Sequence, residues 1–180
     1  MKIRSLSKYI RENIRLIIVF LLASLLRLVN LGYSDYQGDE IKALYLPKGG
    51  QSFYEFIMEQ KKGPLQFFIT YVIKFFDSSY ENQFLVRLSF AVAGILAVVF
   101  FYKLVKIHFG EKIAFYSSLF FATNGLFIAF SRIVQYQSFV LLFAILCLYF
   151  LSLANENEKY YTSGIYFGLL CWAFSILAHY

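Results

Sequence analysis

Residues 113–155 read IAFYSSLFFATNGLFIAFSRIVQYQSFVLLFAILCLYFLSLAN. Arg132 is the only charged residue in this stretch, and it divides two apolar runs of 19 and 23 residues, 113–131 and 133–155. A helix needs about 20 largely apolar residues to cross the hydrocarbon core of a bilayer. Each run is therefore predicted to be a transmembrane helix, and together they predict an all-α membrane fold.

The composition of the whole chain favours the same class. Hydrophobic residues make up 59% of the 180 residues and charged residues 16%, against about 45–50% and about 25% in soluble domains. A soluble fold of this size has no interior large enough to bury so many apolar side chains. The composition excludes disordered, collagen-like and ordinary soluble chains, and the surplus of apolar side chains is expected to face lipid.

The net charge of +6 does not indicate a nucleic-acid partner, because basic residues beside apolar runs are the usual topology signal of membrane proteins. Cys147 and Cys171 both lie within apolar runs. They are predicted to be small buried residues, since neither a disulfide framework nor the spacing of a metal site is present. No metal ligands are predicted.

Three further segments complete the predicted bundle. Residues 85–107 and 160–180 are long and largely apolar, and residues 16–31 contain a single charge, Arg27, which is expected to reach the membrane interface or a partner. Residues 64–76 are too short to span, because a helix of that length covers about 20 Å. The sequence thus predicts a polytopic transmembrane helix bundle of about five spanning helices, with a surface helix at 64–76, in one membrane domain formed by the whole chain.

Basic residues set the predicted orientation. They cluster before residue 16, with no cleavage signal after the first apolar segment, and again at 103–112. If residues 64–76 do not span, both clusters fall in the cytoplasm, where basic loops are usually found; if they do span, the second cluster falls outside. We therefore predict a multi-pass protein of the cell membrane with a cytoplasmic N-terminus and an external loop at 32–84.

The external loop carries the signature of amphipathic juxtamembrane helices. Ser52 and Glu55 fit a capping box, in which each side chain satisfies a free backbone N–H at the start of a helix. In the helix that follows, Phe53, Phe56 and Ile57 fall on one face. This face is predicted to pack at the membrane surface.

The predicted topology gathers the unusual charges at the external face, at the edges of apolar segments. An acidic pair opposite several cations suits a site that binds a phosphate and activates a hydroxyl group. A carboxylate can serve as general base, and cations can stabilise the charge that grows on a departing phosphate. The residues at this face are Asp39, Glu40, Lys62, Arg87, Arg132 and His179.

Four motifs follow the first apolar segment in order: GDE at 38–40, KGPL at 62–65, NQFLVRL at 82–88 and SR at 131–132. In this order they resemble the N-terminal module of the GT-C membrane glycosyltransferases, in the branch that holds protein O-mannosyltransferases and lipid A aminoarabinose transferases. The resemblance implies transfer of a sugar, with inversion, from a polyprenyl-phosphate donor to a hydroxyl of a lipid, glycan or protein acceptor at the external face of the cell envelope. It implies no required cofactor and leaves a divalent cation open.

The resemblance also implies residue roles. Asp39 matches the catalytic carboxylate, predicted here to be the general base, and Glu40 matches its companion, which would orient the acceptor or bind a cation. The residues expected to bind the donor phosphate are Lys62, Arg87 and Arg132.

Two more residues are predicted to line the site. His179 ends an apolar helix, and Gln137 lies where relatives often carry an acidic residue. Each of these residues also has an interpretation without a role in a site. The acidic pair could be a solvated part of the loop, the lysine an anchor for lipid headgroups, the arginines ordinary interfacial residues and the histidine a helix cap.

Two other functions stay open, a non-catalytic membrane assembly protein and a transporter subunit. A transporter favours ionisable groups near the bilayer midplane, whereas the charges here gather at one face. The GT-C resemblance implies additional helices and a soluble C-terminal part, but this chain ends at Tyr180 within an apolar segment. We expect a fragment of a longer glycosyltransferase, and a truncated product that is inactive alone stays open.

Overall fold

The computed structural model describes residues 2–179, with side chains from residue 13 onward. Tyr180 and the side chains of the first basic cluster before residue 13 lie outside the described residues. Within them the chain is helical and contains no strand, which confirms the predicted all-α class. The α-helices are α1 (Lys2–Leu28), α2 (Phe53–Met58), α3 (Pro64–Ile73), α4 (Gln83–Thr123), α5 (Gly125–Ser131), α6 (Gln137–Glu156) and α7 (Tyr161–His179), with 3₁₀ helices at Ile41–Ala43 and Glu158–Tyr160.

Helix α4 is a hairpin of two helical limbs, 83–109 and 111–123. Between them Gly110 has a φ of 77°, a left-handed conformation that glycine adopts without steric cost. The rings of Phe101 and Phe121, on opposite sides of Gly110, pack with centroids 4.8 Å apart. The two limbs therefore run antiparallel, as expected of two successive spanning segments.

The third predicted span, 113–131, is broken near its end. Helix α4 ends at Thr123, and the side chain of Asn124 then caps α5 by accepting the N–H groups of Leu126 and Phe127 at 3.1 and 3.4 Å. An asparagine side chain that bonds to nearby backbone competes with a continuous helix. The apolar run consequently forms two helices rather than one.

By length and apolar composition, three stretches of the described residues are able to cross a membrane: Gln83–Thr123, Gln137–Glu156 and Glu158–His179. The second limb of α4, residues 111–123, covers about 20 Å as a helix, so the third predicted pass, 113–131, also needs α5. The first predicted pass corresponds to α1, whose helix ends at Leu28 rather than at residue 31, and the total of five passes stays a prediction.

Charged residues tie helix ends together at both ends of the bundle. At one end Glu111 lies 3.6 Å from Arg15 and 3.5 Å from Lys106, which places the turn of α4 beside the middle of α1. At the other end Arg132, after α5, donates to the last carbonyl groups of α1. Helix α1 thus runs antiparallel to the first limb of α4, and the topology and orientation in the membrane stay predictions.

The loop between α1 and α4 is built around α2 and a cluster of aromatic rings. The carboxylate of Glu55 accepts the N–H of Ser52 at 2.8 Å, and the Ser52 hydroxyl accepts the N–H of Glu55 at 3.3 Å, which confirms the predicted capping box. The aromatic face of α2 packs inward as part of the cluster, which comprises Tyr45, Phe53, Phe56, Phe67 and Tyr71.

Helix α3 is shorter than the predicted surface helix 64–76, because its last turn tightens and the helix ends at Ile73. Its buried Thr70 fixes the loop: the hydroxyl accepts the N–H of Tyr45 at 3.1 Å, and the carbonyl accepts the Tyr80 hydroxyl at 2.8 Å. Burial raises the pKa of Tyr80 to about 12, so this phenol remains a hydrogen-bond donor at neutral pH.

The alternation of helices predicts a labelling pattern. In a chain with both native cysteines replaced by alanine, a cysteine in place of exposed Glu81 should react with a membrane-impermeant maleimide added outside intact cells. A cysteine in place of exposed Lys112 should react only after the cells are opened, because it follows the turn at Gly110, at the far end of the first limb of α4. Labelling of both positions from the same side would contradict the arrangement.

Candidate functional site

A buried ion pair joins the acidic motif to α4. Arg87 Nε and Nη2 donate to the two carboxylate oxygens of Glu40, each at 2.9 Å. The two side chains are 2% and 5% exposed. A bidentate pair of this kind adds fixed geometry to charge attraction, so the pair sets where the acidic motif lies relative to the bundle.

The remaining donors of Arg87 bind the backbone that leaves α1. Nη1 donates to the carbonyl groups of Leu31 and Ser34 at 3.2 and 2.8 Å, and Nη2 donates to that of Asp35 at 3.2 Å. An arginine has five N–H donors, and all five are engaged here. In this conformation Arg87 has no free donor to offer a phosphate.

Glu40 also reaches the segment between α5 and α6. Its Oε1 accepts the backbone N–H of Val134 at 3.0 Å, and its Oε2 accepts the N–H of Gln37 at 3.3 Å. One carboxylate therefore fixes its own loop, α4 and the start of the α6 region. These bonds account for its burial, since a buried charge is stable only when it is paired and hydrogen-bonded.

Tyr36 covers the ion pair from one side. The Arg87 guanidinium lies 5.3 Å from the centre of its ring, within the range of a cation–π contact, and its hydroxyl donates to the carbonyl of Tyr80 at 2.9 Å. Burial raises the pKa of Tyr36 to about 12, although the positive charge of Arg87 acts in the opposite direction. The phenol therefore stays neutral and protonated.

Asp39 differs from its neighbour in exposure and in its bonding partners. Its side chain is 57% exposed, and its one ion pair among the described residues is with exposed Lys42, at 3.3 Å. The preceding Gly38 has a φ of +42°, a conformation that turns the chain sharply and that side chains disfavour. The acidic motif thus presents one exposed carboxylate, paired with Lys42, beside a buried one.

Arg132 borders the same region. With Glu40 and Arg87 it lines a pocket of about 410 Å³ between the loop after α1 and the segment after α5. Its guanidinium donates to the carbonyl groups of Leu26 and Val29 at 3.0 and 2.8 Å, and to that of Asn30 at 3.0 Å. The position of Arg132 is favourable because the helix dipole stabilises cations at a helix C-terminus. Two N–H groups of Arg132 make no hydrogen bond within the described residues.

The other predicted residues lie elsewhere at this end of the bundle. Lys62 is half-buried next to Gly63, whose N–H donates to the carbonyl of His179 at 3.2 Å and so joins α3 to the end of α7. Gln137 and His179 line a second cavity. Neither Asp39 nor Lys62 lines either cavity.

The second cavity also contains Arg27, which the sequence predicted to reach an interface or a partner but not to line a site. Its side chain is 1% exposed. A single charge inside an otherwise apolar segment is the sequence feature that indicated an unusual role for Arg27. The cavity around it was not predicted, because several helices form it together.

A family model described as dolichyl-phosphate-mannose-protein mannosyltransferase matches residues 61–178, more than half of the chain. The matched stretch contains Lys62, Arg87 and Arg132, and it begins beyond the acidic motif. No curated protein and no solved structure matches the chain.

The ion pair predicts a specific loss of stability. Glu40→Gln keeps the side-chain size but leaves the Arg87 guanidinium buried without its counter-ion, which should lower the free energy of unfolding by about 3–5 kcal/mol. Chemical unfolding of the detergent-solubilised protein measures this change. In the double variant Glu40→Gln/Arg87→Gln, the loss in free energy of unfolding should be smaller than the sum of the losses in the two single variants.

Glu59→Gln is the matched control, because Glu59 forms an exposed ion pair with Lys48 in the same loop and exposed pairs contribute little to stability. If Glu40→Gln lowers the free energy of unfolding no more than Glu59→Gln does, the Glu40–Arg87 pair does not hold the loop in place.

Proposed function

The chain belongs to the dolichyl-phosphate-mannose-protein mannosyltransferase family and is a membrane glycosyltransferase module of the GT-C type; from that premise we propose that it transfers a sugar from a polyprenyl-phosphate donor to a hydroxyl acceptor at the external membrane face. The family match carries this proposal. It favours an enzyme over the transporter and assembly-protein alternatives. The acceptor is a hydroxyl of a lipid, glycan or protein.

Asp39 is the proposed general base. Of the two adjacent carboxylates, it is the exposed one, whereas Glu40 is buried and both of its oxygens already accept hydrogen bonds. Glu40 is then a positioning residue: it fixes the loop in which its neighbour lies.

The reaction needs one proton acceptor and a stabilised leaving group. Asp39 removes the proton of the acceptor hydroxyl. The oxygen of that hydroxyl attacks the anomeric carbon of the donor sugar from the side opposite the phosphate. The bond between that carbon and the phosphate oxygen breaks, and the electron pair leaves with the polyprenyl phosphate. A phosphate leaves as an anion without being protonated, so a single carboxylate suffices.

Lys62 and Arg132 are the proposed partners of the departing phosphate. Lys62 forms no ion pair within the described residues, and Arg132 keeps two N–H groups beyond those that cap α1. Arg87 supports this site indirectly, because its donors hold the loop. Positive groups that are already in place cost little reorganisation when negative charge develops.

The general-base role predicts that Asp39→Asn lowers turnover by about 10²- to 10⁴-fold, the usual contribution of general-base catalysis, while donor binding survives. The measurement is release of polyprenyl phosphate from a radiolabelled donor by membranes that contain the protein. Glu59→Gln, which also removes an exposed ion-paired carboxylate from this loop, should leave turnover unchanged. Normal turnover of Asp39→Asn would rule out the base assignment.

The phosphate role predicts that Lys62→Ala weakens donor use by roughly 10- to 150-fold, the worth of one charge-assisted hydrogen bond. The neighbouring Lys61 is exposed and provides the control, because Lys61→Ala removes the same charge one residue away. Titration of the donor in the turnover assay measures both variants. Equal effects of the two would mean that Lys62 contributes only general surface charge.

A further inference from the structure

Gly63 is the residue at which the loop after α1 meets the end of α7. Its backbone has a φ of −58° and a ψ of 147°, an extended conformation that residues with side chains adopt freely. A need for conformational freedom therefore does not explain a glycine at this position. The explanation lies in its surroundings, because Gly63 is buried and its N–H donates to the carbonyl of His179 at 3.2 Å.

The last turn of α7 leaves no room for a side chain on Gly63. A Cβ there would lie 2.5 Å from the carbonyl oxygen of Leu177 and 2.7 Å from the carbonyl carbon and oxygen of Ala178. These are backbone atoms, so a change of side-chain rotamer cannot relieve the clash, and α3 or α7 would have to move. Proline suits this φ, but it would meet the same carbonyl groups and would remove the N–H that His179 accepts. Glycine is required here because two backbones approach closely.

This contact lies directly beside Lys62. Pro64, on the other side of Gly63, is at the start of α3, where its restricted φ favours the first helical turn. Lys62 is half-buried, whereas Lys61 is exposed. The backbone that carries Lys62 is therefore fixed by the contact with α7 and by the start of α3.

The same turn of α7 also reaches the segment that carries Arg132. The ring of His179 packs edge to face against the ring of Tyr136, with the ring centroids 5.2 Å apart, and Tyr136 follows Arg132 by four positions. The end of α7 thus contacts both segments that carry the proposed partners of the departing phosphate.

We propose that Gly63 is a positioning residue of the donor site. It seats the loop on the last turn of α7 and thereby sets where the Lys62 ammonium meets the donor phosphate. This inference rests on the proposed function, in which Lys62 binds that phosphate. Gly63 takes no part in the reaction and acts through Lys62, so a variant that displaces it should change donor use only while the lysine is present.

The test is a double-mutant cycle in the radiolabelled-donor assay. Gly63→Ala should lower kcat/KM for the donor by roughly 10-fold or more, up to the 10- to 150-fold loss expected of Lys62→Ala. In a chain that already carries Lys62→Ala, Gly63→Ala should cause no further loss, because variants that remove the same interaction are not additive. Gly49→Ala is the matched control and should leave kcat/KM unchanged, since a Cβ on Gly49 meets nothing within 4 Å.

Normal kcat/KM in Gly63→Ala would overturn the inference. An equal loss with and without Lys62 would also overturn it, because the variant would then damage the loop in general. A loss in Lys62→Ala together with a normal Gly63→Ala rejects this inference alone, whereas a normal Lys62→Ala rejects the phosphate role and the inference together.

Leu177→Ala keeps the test decisive if Gly63→Ala does not fold. Leu177 lines an apolar groove of about 410 Å³ between α7 and the start of α3, which Pro64 and Leu65 also line. This variant loosens the packing of α3 on α7 without introducing a clash. It should lower kcat/KM for the donor by less than Lys62→Ala does, and it should cause no loss in a chain that carries Lys62→Ala. An unchanged value in the native chain, or the same loss in both chains, would overturn the inference.

Discussion

The ion pair between Glu40 and Arg87 holds together segments that lie far apart in the sequence. Burying two charges costs several kcal/mol per ion, and a pair is tolerated only when its geometry is good and its remaining donors and acceptors are satisfied. Here every donor of Arg87 is used, and both oxygens of Glu40 accept further backbone N–H groups. The junction fixes the exit of α1, the start of α4 and the approach to α6, and the candidate site is built on it.

This junction explains how two neighbouring carboxylates come to differ. Asp39 and Glu40 have the same charge and the same local sequence, so no local pattern separates them. The separation comes from contacts with Arg87 and the Val134 backbone, which bury one carboxylate and leave the other exposed. Exposure makes Asp39 the carboxylate that we propose as general base, with the buried Glu40 as its support.

The sequence predicted the local and periodic features well. Apolar run length placed the long helices, and the spacing of Ser52 and Glu55 placed the start of α2, because both depend on residues close together in the chain. The break at Asn124 was not predicted, since an asparagine cap competes with an apolar run that favours continuation. The engagement of Arg87 and the cavity around Arg27 were also missed, because each depends on several helices that meet only in the folded bundle.

The central claim is that Arg87 holds the acidic loop and the α6 approach in one unit, and hydrogen exchange in Arg87→Lys tests it most directly. Lysine keeps the positive charge but carries its donors on a single nitrogen, so it cannot bind Glu40 and three carbonyl groups at once. We predict that backbone amides in residues 31–40 and in residues 133–136 exchange faster together in this variant than in the native chain. Unchanged exchange in both segments, or a change confined to residues beside position 87, would contradict the claim.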